Sequence, residues 1–276
     1  MICYVAEVQN IPGLLLLVDF EKAFDSVSHD FLFNVLDNFN FGPSMKKWIH
    51  AFYDQATSSV LVNGFVSESF DIERGCRQGD GLSPYLFLLC AEVLSVMLCN
   101  HQNVKGIVVE GSEFLVSQYA DDTVLFLDGT ERSMYGAFNV LDHFANISGL
   151  RVNVDKTNAV WFGSMKESGA RLCEDIMVNW VNAQDTFKVL GIYFSTNLRS
   201  IALLNYNRVL LSLRKDTALW SKRNLTVLGR VTVVKSLLMS KLTHCVLTIP
   251  DPPKHIVDEL NNVFFQFHLE GERSGY

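Results

Sequence analysis

Apolar residues occur in short runs separated by polar turns over most of the chain, and this pattern predicts a sheet. Residues 14–19 form a continuous apolar run that ends in an acid, as expected of a strand buried on both faces. Two apolar runs, 59–62 and 65–72, flank Asn63-Gly64, a dipeptide that supplies the positive φ angles of a tight hairpin turn. Further strands are predicted at residues 107–110, 114–117, 123–127, 159–162 and 187–194.

Stripes of apolar residues at helical spacing lie between these runs. Pro43 is well placed at a first helical position, and Thr130 is a suitable N-cap for a helix that stops at Gly149. Ser83-Pro84 opens a strongly apolar helix. Helices are therefore predicted at residues 29–41, 43–53, 83–99 and 130–148.

The character of the chain changes near residue 197. Beyond this point the pattern is helical, at residues 201–220, 227–245 and 254–268. Residues 1–196 carry 12 Lys and Arg against 24 Asp and Glu, whereas residues 197–276 carry 11 against 6. A basic segment behind an acidic body fits a nucleic-acid grip beside a carboxylate site, although ordinary solvated helix faces would give the same charges. We predict an α+β body over residues 1–196 and a helical region over residues 197–276.

Cysteine usage and the absence of targeting signals predict a soluble intracellular protein, in the cytoplasm, the nucleus or both. The six cysteines are scattered, with no C-x-x-C pair and no histidine at zinc spacing, as expected of reduced and mostly buried thiols. The first residues lack the basic and apolar segments of a signal peptide. The apolar stretch 84–98 contains Glu92 and is short for a bilayer span, so no membrane partner is expected.

Three acids stand where apolar residues would otherwise be expected. Asp19 ends the apolar run 14–19, and Asp121 and Asp122 form an adjacent pair between two predicted strands. Hard divalent cations such as Mg²⁺ prefer carboxylate oxygens, and two such ions can serve phosphoryl transfer. Each acid also has a structural explanation, because a lone Asp after a strand is usually a cap and an Asp-Asp pair is usually a solvated loop.

A glycine-rich segment, residues 74–87, lies between the first acid and the pair. Its glycines permit a close approach of backbone to a ligand, and Gln78 can hydrogen-bond to base or sugar edges. A plain glycine loop before a helix would explain the glycines, but not the dense succession Arg-Gln-Gly and Ser-Pro-x-Leu-Phe.

Several motifs in order resemble the reverse transcriptase of LINE-type (non-LTR) retrotransposons, and the similarity runs from about residue 11 to the end. Residues 19–27 resemble the first catalytic motif of that family, and residues 74–87 resemble its template-and-nucleotide loop. Tyr119-Ala120-Asp121-Asp122 resembles the metal-binding turn. The later motifs are G-L-x-x-N-x-x-K-T at residues 149–157, the L-G-I strand at 187–192 and the start of a helical thumb at 220–230.

The resemblance implies a right-hand polymerase palm, with an RRM-like antiparallel sheet and helices, over residues 1–196, and a helical thumb over residues 197–276. It makes Asp19, Asp121 and Asp122 the catalytic metal ligands. Phe24 would lie beneath the nucleotide sugar and exclude a 2′-hydroxyl by bulk. Other nucleotide contacts would come from Phe20, Ala23, Gln78 and Lys156, and template or primer contacts from Arg77, Gly79, Leu190, Gly191, Arg223 and Arg230.

Some of these roles have structural alternatives. Core packing is the alternative for Phe24, an exposed loop position for Lys156, and helix packing or solvation for Arg223 and Arg230. Gly81 also departs from the family, which usually has Pro at this position, and this predicts a more flexible loop before Ser83.

The family's chemistry implies two Mg²⁺ ions, for which Mn²⁺ can substitute, and the partners of a reverse transcriptase. These partners are an RNA template, a DNA primer, deoxynucleoside triphosphates and other parts of the same polyprotein. Only 18 residues precede Asp19, so the fingers are expected to be largely missing and the chain to be a partial copy of the element.

Two other interpretations remain open. A catalytically silent palm-thumb remnant that binds RNA or a partner protein would fit the short start and the acidic body. A group II intron maturase shares the paired-Asp turn, but the sequence of residues 23–27 and that of the thumb favour the LINE family.

Overall fold

The computed structural model describes residues 9–167, 169–182, 185–195 and 197–273. Its contacts divide the chain into two compact units, residues 1–183 and 184–276. The boundary predicted from sequence lay at residue 196, so the structure groups the hairpin of residues 186–195 with the C-terminal helices. Ile192 explains this grouping, because its buried side chain belongs to the hydrophobic core of the second unit.

The strands of the first unit form a five-stranded sheet and three two-stranded sheets. The strands of both units are β1 Gly13–Val18, β2 Thr57–Ser58, β3 Leu61–Val62, β4 Phe65–Val66, β5 Phe70–Asp71, β6 Ile107–Val109, β7 Ser112–Phe114, β8 Val116–Tyr119, β9 Asp122–Leu127, β10 Asn158–Phe162, β11 Asn179–Val181, β12 Thr186–Val189 and β13 Ile192–Ser195. The two-stranded sheets are β2-β5, β3-β4 and β6-β7. The five-stranded sheet has the order β11-β10-β1-β9-β8, and its pairs are antiparallel except for β10 with β11. Strand β1 is central and wholly buried, as its apolar sequence predicted.

Both units also contain helices. They are α1 Ala23–Ser26, α2 His29–Asn38, α3 Pro43–Tyr53, α4 Ser83–Asn100, α5 Glu131–Ser148, α6 Leu198–Ser221, α7 Val227–Val233, α8 Met239–Thr248 and α9 Lys254–Arg273. A π-helical segment, Val234–Leu238, joins α7 to α8. The predicted α+β fold class is thus confirmed: among the described residues, the strands lie between residues 13 and 195 and helices follow them.

The core of the first unit lies between the sheet and helices α2, α4 and α5. Leu86, Phe87, Cys90, Leu94 and Leu98 of α4 are buried there, because α4 is apolar over most of its circumference. Two helical stretches, Ser83–Asn100 and Val227–Thr248, are long and apolar enough to cross a membrane by length and composition alone. For α4 the core position accounts for this composition.

In the second unit the hairpin β12–β13 packs on α6, and α6 also contacts α8 and α9. Their shared core contains Ile192, Tyr206, Leu213, Leu238 and Ile256. Asn205 joins the hairpin to α6, since its buried carboxamide accepts a hydrogen bond from Tyr193 N and donates one to Tyr193 O.

Candidate active site

Three carboxylates come together at one end of the five-stranded sheet. Asp19 directly follows β1, and Asp122 is the first residue of β9. These two strands are neighbours, and Val18 pairs with Thr123, so Asp19 and Asp122 lie at the same end of the sheet. Tyr119 pairs with Asp122 across a tight turn formed by Ala120 and Asp121. Ala120 has φ 53° in this turn. A non-glycine residue in the left-handed region is strained by about 1–2 kcal/mol, and such strain tends to occur at functional sites.

The electrostatics of Asp122 agree with a position of its carboxyl near the other two acids. The pKa of its carboxyl is raised above its ordinary value, first by partial burial and then by the negative charges of Asp121 and Asp19. Among the residues that the structure describes, no Lys or Arg forms an ion pair with any of the three. The cluster therefore carries mutual repulsion that a cation would relieve.

The donor chemistry of this cluster fits divalent metal ions, because all three side chains offer carboxylate oxygens. Over the described ranges, no three His, Cys, Asp or Glu side chains are as close as direct coordination of one ion requires. The three carboxylates are therefore close enough to influence one another's charge but too far apart to coordinate the same ion directly.

Residues 151–157 hold Asp19 in place. Asp19 N donates to Thr157 Oγ1 over 3.3 Å, and Asn153 N donates to Asp19 O over 2.8 Å. Phe20 forms a β-bridge with Val152. Lys156 follows in the same turn with its side chain exposed, so the fold brings the predicted lysine close to the first acid. Thr157 and Asn153 were missed as site residues, although both lie in the motif quoted from the sequence.

The predicted nucleotide-contact residues in α1 and just before it differ in exposure. Phe20 and Ala23 are buried core residues, so only their backbone is available to a nucleotide. Phe24 is partly exposed and stacks on Phe87 of α4, with ring centroids 4.4 Å apart and planes 19° apart. Phe24 therefore both packs against the core and presents a surface, which agrees with the gate hypothesis and with part of its core-packing alternative.

The glycine-rich loop docks on the segment around α1. Gly75 N donates to Val27 O over 2.7 Å, and Cys76 N donates to Phe24 O over 2.6 Å. Gln78 Nε2 donates to Asp25 Oδ1 over 3.1 Å. This contact gives Asp25 a positioning role that sequence reasoning missed, although Asp25 lies inside the first catalytic motif. Arg77 and Gly79 are exposed at the loop surface.

The predicted template and primer residues of the second unit separate into two classes. Leu190 and Gly191 form the exposed turn of the hairpin β12–β13, where His244 Nε2 donates to Leu190 O over 2.8 Å. Arg223 is exposed and lies over the Trp220 ring at 4.6 Å. Arg230 is only 3% exposed, and its Nη1 donates to Phe267 O over 2.9 Å. The predicted nucleic-acid contact of Arg230 is therefore not supported, because its guanidinium holds α7 against α9.

A mainly antiparallel sheet that joins a strand-end acid to an acidic hairpin turn, with helices packed on it, is the architecture of the palm of a nucleic-acid polymerase. A family model described as Reverse transcriptase (RNA-dependent DNA polymerase) matches residues 7–194. The chain belongs to this family. Reverse transcriptases generally use divalent metal ions, an RNA template and a primer.

Curated proteins of mobile elements are similar over most of the chain. The Transposon TX1 uncharacterized 149 kDa protein of Xenopus laevis is 25% identical over 257 residues, which cover 91% of this chain and 19% of that protein. The Pol polyprotein of retrotransposable element R2DM of Drosophila melanogaster is 28% identical over a match that covers 71% of this chain and 18% of that protein. The RNA-directed DNA polymerase from mobile element jockey of the same species is 27% identical over a match that covers 66% of this chain and 19% of that protein. The predicted resemblance to non-LTR retrotransposon reverse transcriptases is confirmed.

The chain spans about a fifth of the length of these three relatives. Among solved structures, telomerase from Candida albicans, in complex with a fragment of telomeric RNA, is similar with a TM-score of 0.45 and 13% identity. That match covers 94% of this chain and 44% of the telomerase chain.

Proposed function

We propose that this chain is the palm and thumb part of an RNA-directed DNA polymerase of a non-LTR retrotransposon. Its reaction is the transfer of a deoxynucleotide to a primer 3′-hydroxyl, directed by an RNA template, with release of pyrophosphate. The observation that carries the proposal is the meeting of Asp19, Asp121 and Asp122 at one end of the sheet, where the pKa of Asp122 is raised by partial burial and by the other two acids.

Asp19, Asp121 and Asp122 would hold two Mg²⁺ ions, or Mn²⁺ in their place, which would supply activation of the primer hydroxyl and charge neutralisation on the leaving pyrophosphate. Asp19 is held by the backbone and hydroxyl of residues 153 and 157. Asp121 is held by the turn between β8 and β9. The chain thus fixes the backbone of the acids from two different elements.

The nucleotide would lie against Phe24 and the glycine-rich loop. Phe24 is supported from below by Phe87, so its ring resists displacement by an extra 2′-hydroxyl. Gln78 donates one amide hydrogen to Asp25, which leaves its amide oxygen as an acceptor for a sugar hydroxyl. Lys156 is exposed beside the turn that holds Asp19 and would place its charge near the phosphates.

The wider setting of the reaction follows from the relatives, each of which is several times longer than this chain. Other parts of the same polyprotein would supply the remaining contacts to the template and would generate the primer end. The site of action would be intracellular, in the nucleus, the cytoplasm or both.

Primer extension on an RNA template, in Mg²⁺ or Mn²⁺, tests the proposal directly. The variant Asp121→Asn should lose extension completely, because it removes one ligand charge. Asp142→Asn is the matched control, since Asp142 is an exposed acid on α5 of the same unit.

Extension that disappears in Asp121→Asn and persists in Asp142→Asn would support the proposal. Undiminished extension by a folded Asp121→Asn protein would contradict the assignment of the acids. If the wild-type chain is silent both alone and with an added fingers segment of a related element, the remnant interpretation would replace the polymerase.

A further inference from the structure

Side chains from two helices hold the glycine-rich loop at both of its ends. His29, the first residue of α2, has its Nε2 3.1 Å from the carbonyl oxygen of Gly75. Tyr53, the last residue of α3, has its hydroxyl 3.4 Å from Oγ of Ser83, the first residue of α4. The two rings also contact each other edge to face, with centroids 5.1 Å apart and planes 72° apart. His29 and Tyr53 thus form one connected unit that reaches both ends of the loop.

The ends of the loop are buried, whereas its middle is exposed. Tyr53 is 3% exposed and Ser83 is 1% exposed. Gly75 and Cys76 are also buried, but residues 77–79 lie at the surface. A buried polar group that loses its partner is left without a hydrogen bond, so contacts at the ends are costly to break. The exposed middle is therefore positioned by contacts that water does not replace.

The His29 side chain acts as the donor in its contact with the loop. A backbone carbonyl oxygen can only accept, so Nε2 of His29 carries the hydrogen that it donates to Gly75 O. Ser28 forms a β-bridge with Arg74, which brings His29 beside Gly75. Gly75 N in turn donates to Val27 O over 2.7 Å. Both backbone groups of Gly75 are therefore bonded to the segment that leads into α2, and the bond from His29 is the one that a substitution can remove.

The thiol of Cys76 lies at the first end of the loop and can report on these contacts. Cys76 is 2% exposed, and burial raises the pKa of its thiol to about 11, while a hydrogen bond with Tyr53 acts in the opposite direction. Alkylating agents react with the thiolate, so a buried thiol with a raised pKa reacts slowly. Cys76 N donates to Phe24 O over 2.6 Å, which joins this end of the loop to the proposed sugar contact. The alkylation rate of Cys76 therefore measures how often this end opens.

We propose that His29 and Tyr53 are positioning residues of the polymerase site, which hold the two ends of the glycine-rich loop and thereby place Gln78 relative to Phe24. The inference rests on the proposed function, because that function supplies the nucleotide that the loop contacts. His29 bonds to one end of the loop and Tyr53 to the other, so both act through the loop. Loss of either bond should loosen residues 76–82 and weaken nucleotide binding, while the three acids stay in place.

The first test is the rate at which iodoacetamide alkylates Cys76 in the full chain, measured by peptide mass spectrometry at constant pH in EDTA. The net contribution of one hydrogen bond corresponds to about a 2–10-fold shift in a local opening equilibrium. Tyr53→Phe and His29→Leu should each raise the rate by about this factor. His29→Gln keeps an N–H that can reach the carbonyl of Gly75, so it should stay near the wild-type rate. A rise in His29→Gln equal to that in His29→Leu would overturn the donor role.

Two other cysteines of the same unit serve as internal controls. Cys90 is 0% exposed in α4 and should keep its rate, whereas Cys99 is exposed and gives the rate of an open thiol. Tyr135→Phe is the matched variant, because it removes a tyrosine hydroxyl that donates to Asp175 elsewhere in the unit. An equal rise at Cys76 in Tyr135→Phe, or at Cys90 in the test variants, would show general destabilisation and overturn the proposal. An unchanged Cys76 rate in the folded test variants would overturn it as well.

Primer extension supplies the second readout. Tyr53→Phe and His29→Leu should raise KM for the deoxynucleotide about 2–10-fold and change kcat less. The reason is that the backbone of the acids is held by other elements, at residues 153 and 157 and at the turn between β8 and β9. A fall in kcat with an unchanged KM, beside a raised Cys76 rate, would overturn the link between the loop and the nucleotide.

The two readouts separate this inference from the polymerase proposal. Alkylation needs neither metal ion nor nucleotide, and Cys76 of Asp121→Asn should react like that of the wild type. If the wild type fails to extend a primer while the test variants expose Cys76, the polymerase proposal fails and the holding of the loop stands. If extension depends on Asp121 but the Cys76 rate is unchanged in the test variants, the polymerase proposal stands and the positioning roles fall.

Discussion

The ring of Phe24 lies face to face on the ring of Phe87, with centroids 4.4 Å apart. Phe87 is 2% exposed in the first turns of α4, whereas Phe24 is partly exposed on α1. The stack therefore joins the interior to the surface at which a nucleotide sugar is proposed to lie. A side chain that excludes a hydroxyl by bulk must itself be held rigidly, and Phe87 provides that support.

Phe24→Val should admit ribonucleotides more readily. The smaller side chain opens space where the 2′-hydroxyl would lie. One methylene in an apolar pocket is worth about 10–200-fold in discrimination, and we expect a fall within this range. The measurement is the ratio of kcat/KM for a deoxynucleotide to that for the matching ribonucleotide. An unchanged ratio in an active Phe24→Val protein would remove the gate assignment.

Phe87→Leu should loosen the same selectivity without contact between Phe87 and the nucleotide. Loss of the stacked ring allows Phe24 to tilt, so we expect a smaller fall in the same kcat/KM ratio than in Phe24→Val. The control is Phe144→Leu, a buried ring of α5 that contacts Phe31 instead. Equal changes in selectivity for both leucine variants would mean that the effect is general core destabilisation.

The sequence predicted those features that depend on neighbouring residues. Thr130 Oγ1 accepts a hydrogen bond from Ser133 N at the start of α5, and Gly149 ends that helix with φ 84°, as expected. Such caps are read from a few adjacent positions. The alternation of strands and turns likewise placed Asp19 and the Asp121-Asp122 pair at strand ends.

Contacts between distant segments could not be predicted in the same way. The burial of Arg230 depends on the carbonyl of Phe267, and the role of Asp25 depends on Gln78 reaching back from the loop. The hairpin β12–β13 was assigned to the body because its strands resemble the other strands. Its position with the helices is determined by the packing of Ile192 and the two hydrogen bonds of Asn205, which no local pattern encodes.

Asp122→Asn should raise the thermal stability of the metal-free protein at neutral pH. The folded-state pKa of Asp122 is raised above its ordinary value of 3.8 by partial burial and by Asp121 and Asp19. Ionisation of Asp122 therefore opposes folding. The protonated carboxyl contributes stability that is fully present below the unfolded pKa and is lost as the pH rises through the folded pKa. The difference in melting temperature between Asp122→Asn and wild type, measured in EDTA, should be positive at pH 7, shrink as the pH falls, and approach zero only below pH 3.8.

Magnesium should reverse the order of these two proteins at pH 7. An ion that binds only the folded state stabilises it, and the wild type retains all three carboxylates. Asp142→Asn, which lies outside the cluster, should follow the wild type in EDTA and in Mg²⁺. A melting temperature of the wild type that does not respond to Mg²⁺ or Mn²⁺ would count against the metal assignment.

Gly75→Ala should disturb the active site more than Gly79→Ala, although both glycines occupy the left-handed region, with φ 94° and 88°. A side chain there costs about 1–2 kcal/mol in either variant. At Gly75 an added Cβ would also meet Asp25 backbone atoms at 3.0 Å, whereas at Gly79 it would meet nothing within 4 Å. The extra contact pushes the loop away from α1 and weakens the hydrogen bond from Cys76 N to Phe24 O.

We therefore expect Gly75→Ala to melt at a lower temperature than Gly79→Ala. Gly75→Ala should also discriminate less between ribose and deoxyribose, because Phe24 moves with the strained segment. Equal melting temperatures and equal selectivity for the two variants would show that the docking of the loop does not position Phe24.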